Sequence, residues 1–386
     1  MPAVNRFHLA IPFNRPFATG AEFGYIREAI DGLQLSGNGR FGVRCCSWLQ
    51  VQTGAGSALL TPSCTAALEL AALLAGIGPG DEVIMPSFTF SSTATAFALR
   101  GATPVFVDIR PDTLNLDEAA VPGAVTERTR AIVPIHYAGV PAELDPLAVT
   151  AEAAGAVLIE DAAHALGSTY RGRPVGGDGP LAALSFHETK NLTCGEGGAL
   201  LINDAGLVER AEIMQEKGTD RARLFRGEVD KYTWVDIGSS FLLSEINAAF
   251  LWAQFESADE ILRRRLAIWD AYHEAFAPLE AAGLLRRPVV PAHCTHSAHL
   301  YYLLLPDEAG RDALIESLRA DGIAAIFHYL PLHSSRAGQR YGRADGALPV
   351  TDNVSGRLVR LPLWVGMGPD EIGRVVRGVE TAVGRA

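Results

Sequence analysis

Between residues 58 and 202 the chain repeats one beat: a short, wholly apolar run, a turn of small polar residues, then a helical pattern. The run at 58–60 meets TPSCT (61–65), which opens an alanine-rich helix predicted over 66–75. The run at 82–85 ends in PSFTF (86–90), and a helix is predicted over 91–99. Further runs at 104–107, 131–135 and 156–160 end at Asp108, His136 and Asp161. These runs are continuously apolar rather than alternating, so both faces of each strand must be covered. Strands of that kind, alternating with helices, predict an α/β fold built on a mainly parallel sheet between helical layers. Ligands of such sheets gather beyond the carboxyl ends of the strands. TPSCT, PSFTF, Asp108, His136 and Asp161 are all expected at that edge.

Outside this stretch the pattern changes. Residues 11–55 begin with the extended IPFNRPF, followed by a helical pattern over 21–33, the glycine-rich SGNGRFG (36–42) and a second helix over 43–53. After an apolar strand at 199–202, residues 207–233 become unusually charged. A long helix is predicted from 243 to 272. Strands return over 284–305, then a helix at 311–321, a strand-like run at 323–329 and a final helix from Pro369. The reading is a large domain at 11–265 and a smaller α+β C-terminal domain at 266–386, divided inside the long helix.

Composition narrows the class. A chain of 386 residues with 48% hydrophobic and 20% charged residues is an ordinary globular protein, large enough to bury a site. Its 33 basic against 44 acidic residues give a net charge of −11, which argues against nucleic acid or an anionic membrane as partner. The N-terminal MPAVNRFHLAIPFNRPF has no apolar core of signal-peptide length, and no run reaches the roughly 18 apolar residues of a membrane span. The five cysteines, at 45, 46, 64, 194 and 294, lack metal-ligand spacing and read as reduced thiols of a cytoplasmic protein.

The chemistry centres on SFHETKNLTCGEGG (185–198), with one lysine, Lys190, among small, hydroxyl and glycine residues. Burial favours the neutral amine, which forms a Schiff base with a carbonyl compound such as pyridoxal phosphate. Ser185, five residues earlier, is placed to reach a phosphate on the same molecule, and Gly195, Gly197 and Gly198 allow close backbone approach. Pyridoxal phosphate works as an electron sink while its ring nitrogen is protonated, and a carboxylate such as Asp161 keeps it so; a strand-end Asp also serves as a helix cap. The Ser-Cys-Thr turn at 63–65 opens a helix, which suits a phosphate or is a plain N-cap. Phe88 and Phe90 can cover a ring or fill the core. His164 and His187 flank the site in sequence, as cofactor neighbours or structural histidines.

Taken in order, TPSCTAALE, PSFTF, IEDAAHALGS, SFHETKNLTCGEGG and FHYLPLH resemble the sugar aminotransferases of the DegT/DnrJ/EryC1/StrS family, over nearly the whole chain from Ile11 onward. FRGEVDKYTWVDIGSS and IFHYLPLH point, within that family, to the branch that makes dTDP-4-amino-4,6-dideoxygalactose. The resemblance implies a fold-type-I pyridoxal-phosphate enzyme with a seven-stranded sheet. It implies Lys190 as the Schiff-base lysine and proton shuttle, Asp161 at the pyridine nitrogen and Phe90 stacked on the ring. Cys64, Thr65 and Ser185 would hold the phosphate, and His164 would sit near the phenolic oxygen. It further implies a homodimer with shared sites, in which Ser240 of GSSFLLSE would reach the neighbour's phosphate; many members carry an asparagine motif there. The expected substrates are dTDP-4-keto-6-deoxyglucose, or another nucleotide-linked keto-sugar or cyclitol, and an amino-acid donor, L-glutamate by family expectation. Arg221, Arg223, Arg226 and Lys231 are the densest basic cluster for the diphosphate, or else a solvated loop, with His328 and Tyr329 near the sugar. Family members that are dehydratases carry histidine in place of the lysine, and a binding protein on this fold would be expected to lose Lys190 or Asp161; this chain has both.

Overall fold

A computed structural model describes residues 10–384. Residues 1–9, on which the reading of the N-terminus partly rests, lie outside the described residues.

The apolar runs form one sheet of eight strands, one more than expected. Across the sheet the strands run Ser57–Thr61, Gly198–Ile202, Leu181–Ser185, Val157–Asp161, Thr129–Ile132, Glu82–Pro86, Thr103–Val107 and Arg343–Ala344. Only Gly198–Ile202 runs against its neighbours, pairing antiparallel on both sides. The unforeseen eighth strand, Arg343–Ala344, comes from the C-terminal third and adds in parallel to the edge. Glu82 anchors that edge: its buried carboxylate accepts from Arg343 and Thr126 and pairs with Arg128.

Helices cover both faces. The helix Cys64–Leu74 presents Ala67, Ala71 and Ala72, all fully buried, so its backbone packs close to the sheet. A separate core is built from Ile11, Trp269, Tyr272, Tyr301, Leu303, Leu361, Trp364 and Val379 around the antiparallel pair Tyr301–Leu304 and Leu358–Leu361.

Three expectations are corrected. The long helix of 243–272 is two, Glu245–Glu256 and Ala258–Ala275. Ser257 (φ −106°, ψ 9°) leaves helical geometry, and its N–H bonds the Gln254 carbonyl three residues back, which ends the first helix. The strand-like run at 323–329 forms only isolated bridges, Ile323 to Ile11 and Ile326 to Arg360, and then turns away. Asp108 and His136 sit at strand ends as expected but serve the scaffold. The Asp108 carboxylate accepts from the N–H groups of Val350 and Thr351 and from the Thr351 hydroxyl, capping the start of the helix Pro349–Arg357. His136 is fully buried; its Nδ1 accepts from Ala142 N–H, so its Nε2 carries the proton donated to Glu160, 2.9 Å away.

The Asp108 cap joins segments some 240 residues apart, and its loss leaves helix N–H groups without acceptors. Asp108→Ala is therefore expected to lower stability by about 2 kcal/mol, read as a lower Tm at equal folded content. An unchanged Tm would show that water replaces the carboxylate freely.

Candidate functional site

The expected ligand edge of the sheet opens into a cavity of about 710 Å³. Lys190, Asp161, Cys64, Thr65, Phe90, His164, Ser185, His328 and Tyr329 all line it. Residues spread over 266 positions of sequence thus converge because strand ends, one helix start and the 326–329 segment meet there.

Each is held by its element. Asp161 ends its strand almost buried; Oδ2 accepts from the Thr93 hydroxyl at 2.7 Å and Oδ1 from Ala163 N–H at 3.2 Å. No helix begins at Asp161; the chain continues as a turn, so the capping alternative does not hold. Neither Asp161 nor Lys190 has an ion-pair partner among the described residues. Lys190 lies in the turn between two strands, and burial pushes its ammonium down to about 8, where a useful fraction is a free amine near neutral pH.

Ser63 caps the helix Cys64–Leu74, its Oγ accepting from Ala66 N–H. The N–H groups of Cys64 and Thr65 lie in the first turn, where no intrahelical acceptor exists, and both residues line the cavity. Gly198 lies directly under this helix start: a Cβ there would sit 2.4 Å from the Ser63 carbonyl carbon and 2.5 Å from Cys64 N. Only glycine lets the two backbones meet so closely. The Thr65 hydroxyl donates to Ser92 Oγ at 2.8 Å.

Phe90 is 60% exposed, an aromatic face open to the cavity, whereas Phe88 is core, packed on Tyr137 and Tyr329. His164 stacks on His299 with centroids 4.1 Å apart, and its buried Nδ1 has no hydrogen-bond partner. Burial holds both rings neutral. His187 also lines the cavity, but from a more exposed position in which its Nδ1 bonds the Thr189 hydroxyl.

The other sequence-predicted residues are not brought into this chain's cavity. Ser240 lies in an exposed segment bridged to Glu216. Arg221 pairs with the buried Glu216, and at the surface Arg223 pairs with Glu209 and Glu228 and Arg226 with Glu212 and Glu228. Lys231 is exposed nearby.

Sequence reasoning missed two arginines that line the cavity, the buried Arg265 and the half-buried Arg360. Arg265 donates to the carbonyls of Ala298 and His299, and Arg360 to that of Phe327, and neither has a carboxylate partner among the described residues. Burial lowers the pKa of both. A signal existed for Arg265: it stands four residues from both Ile261 and Trp269 on the buried face of its helix, while Arg263 and Arg264 pair outward with Glu260.

Residues 20–380 match the model of the DegT/DnrJ/EryC1/StrS aminotransferase family. Among solved structures, the chain is similar to the aminotransferase TlmJ of Streptoalloteichus hindustanus, at 31% identity over 97% of this chain and 99% of that one, TM-score 0.89. Spr1654 of Streptococcus pneumoniae, described as a candidate sugar aminotransferase and solved in a PLP form, is 27% identical over 97% and 99%, TM-score 0.89. PseC of Helicobacter pylori, an aminotransferase involved in the biosynthesis of pseudoaminic acid, is 25% identical over 97% and 100%, TM-score 0.88.

Proposed function

Because this chain belongs to the DegT/DnrJ/EryC1/StrS aminotransferase family, whose members use pyridoxal phosphate, we propose that it moves an amino group from L-glutamate to C4 of dTDP-4-keto-6-deoxyglucose. One observation carries the reading: Lys190, Asp161 and the free start of the helix Cys64–Leu74 line one cavity, and neither charged residue has an ion-pair partner among the described residues.

The residues present fit the cofactor. The N–H groups of Cys64 and Thr65, with Ser185, would offer donors for its phosphate, and His164, whose buried Nδ1 has no partner among the described residues, would lie near its phenolic oxygen. Phe90 would cover one ring face, and Asp161, oriented by Thr93, would hold a proton on the ring nitrogen. When bound, the cofactor draws electrons away from the carbon that gains or loses the amine. Lys190 would hold the cofactor through Nζ and serve as the group that takes up and returns a proton. His328 and Tyr329, which line the same cavity, would contact the sugar.

We read the working form as a cytoplasmic homodimer. Phe225, Trp234, Val235 and Ile237 are exposed in the same segment as the basic cluster, an apolar surface suited to a second copy. In that arrangement Ser240 and the cluster of Arg221, Arg223, Arg226 and Lys231 would serve the partner's site. No helix among the described residues is long and apolar enough to cross a membrane.

The test of the substrate is release of 2-oxoglutarate by the holoenzyme given L-glutamate and dTDP-4-keto-6-deoxyglucose. Turnover with a different keto-sugar and none with this one would overturn the substrate assignment and leave the family intact. For the diphosphate, Arg221→Ala combined with Arg223→Ala is expected to raise KM for the nucleotide sugar about 10–100-fold, less so at high salt. The amino-donor half-reaction, which involves no diphosphate, should be unchanged. Equal damage to both half-reactions would make the segment structural.

A further inference from the structure

Tyr137 is fully buried beside the cavity without lining it. Its backbone N–H donates to Asn115 Oδ1, whose amide in turn holds the carbonyls of Val140 and Pro141, so its position is fixed from the sheet side. Its hydroxyl reaches His328 Nδ1 at 2.6 Å, from a chain segment 191 residues away. The His328 ring is clamped as well: it stacks on Tyr329 at 3.6 Å between centroids and meets Phe88 edge-on.

The direction of this hydrogen bond follows from who else is available. The Tyr137 hydroxyl has no other partner among the described residues, so if His328 Nδ1 carried the proton, the phenol O–H would be buried without an acceptor. Burial keeps the imidazole neutral, with Arg360, His164 and Lys190 as the positive neighbours that further disfavour a charge, and the phenol stays protonated for the same reason of burial. A neutral ring has one N–H. With Nδ1 accepting, that hydrogen is on Nε2, which has no protein acceptor among the described residues.

We propose that Tyr137 is a positioning residue: by donating to His328 Nδ1 it fixes that ring as an Nε2–H donor for an oxygen of the bound keto-sugar. The proposal rests on the reading above that the sugar lies beside His328. Without Tyr137 the ring could present Nε2 as an acceptor instead, and a carbonyl or ether oxygen would then find a lone pair opposite it.

The test has two independent arms. In ¹⁵N-histidine-labelled holoenzyme without substrate, His328, assigned by its loss in His328→Ala, is expected to show protonated Nε2 and bare Nδ1. In stopped-flow measurements, Tyr137→Phe is expected to slow the keto-sugar half-reaction about tenfold, the loss of one buried hydrogen bond, and the amino-donor half-reaction less than twofold. Adding Tyr137→Phe to His328→Ala should slow the keto-sugar step no further, because the tyrosine acts through the histidine. A protonated Nδ1 in the wild type, equal slowing of both half-reactions, or multiplying effects of the two substitutions would each overturn the proposal. A His328→Ala protein with wild-type sugar kinetics would overturn it through the reading it rests on, and the resonance arm distinguishes that case from a failure of Tyr137.

Discussion

Lys190→Ala is expected to lose at least about 10⁴-fold in turnover while the protein still folds and still retains cofactor weakly. On the proposed function two roles leave together, the covalent attachment of the cofactor and the base that moves the proton, and proton transfer alone commonly contributes about 10²–10⁴-fold. Folding should survive because Lys190 makes no ion pair and lies in a turn rather than in a core cluster. The phosphate site at the start of the helix Cys64–Leu74 is untouched by the change, which is why weak binding persists. Steady-state assay and cofactor titration check both halves; a variant that still transaminates would remove Lys190 from the chemistry.

Asp161→Asn is expected to keep size, fold and bound cofactor and to cripple the proton-transfer step. The asparagine can still accept from Thr93 through its carbonyl, so the pocket should not collapse. What would disappear is the negative charge that the proposed function places opposite the ring nitrogen. Each pKa unit lost there is worth about 1.4 kcal/mol, so a loss of two to three units would slow the step by about 10²–10³-fold. Single-turnover rates in each half-reaction are the measurement. Near-normal rates would reduce Asp161 to a scaffold residue bonded to Thr93 and Ala163.

Lys190 stood out as the one lysine in a stretch of small, hydroxyl and glycine residues, and Asp161 was legible for a local reason. A continuous apolar run must end at the sheet edge, and a polar residue at its end is placed there whatever the rest of the chain does. The same rule also placed Asp108 and His136, and there it misled. Asp108 is taken by the N–H groups of a helix some 240 residues downstream, and His136 by Glu160 and Ala142. Which strand-end residue keeps its charge free depends on what packs against it, and that information is tertiary. Arg265, Arg360 and Tyr137 were hidden for the same reason: each reaches the site or its wall through a contact across the fold. The eighth strand, two residues long, carries too little periodicity to register, and the break at Ser257 lies in a sequence with no Gly or Pro to mark it.

The chain contains only three lysines, Lys190, Lys217 and Lys231, and of these only Lys190 lines the cavity. That makes one measurement decisive: reduce the holoenzyme with borohydride, digest it, and locate the cofactor by peptide mass. The site described here requires the pyridoxyl group on the Lys190 peptide alone, at one per chain, and none in Lys190→Ala. Cofactor fixed on Lys217 or Lys231, or a holoenzyme from which borohydride fixes none, would contradict it.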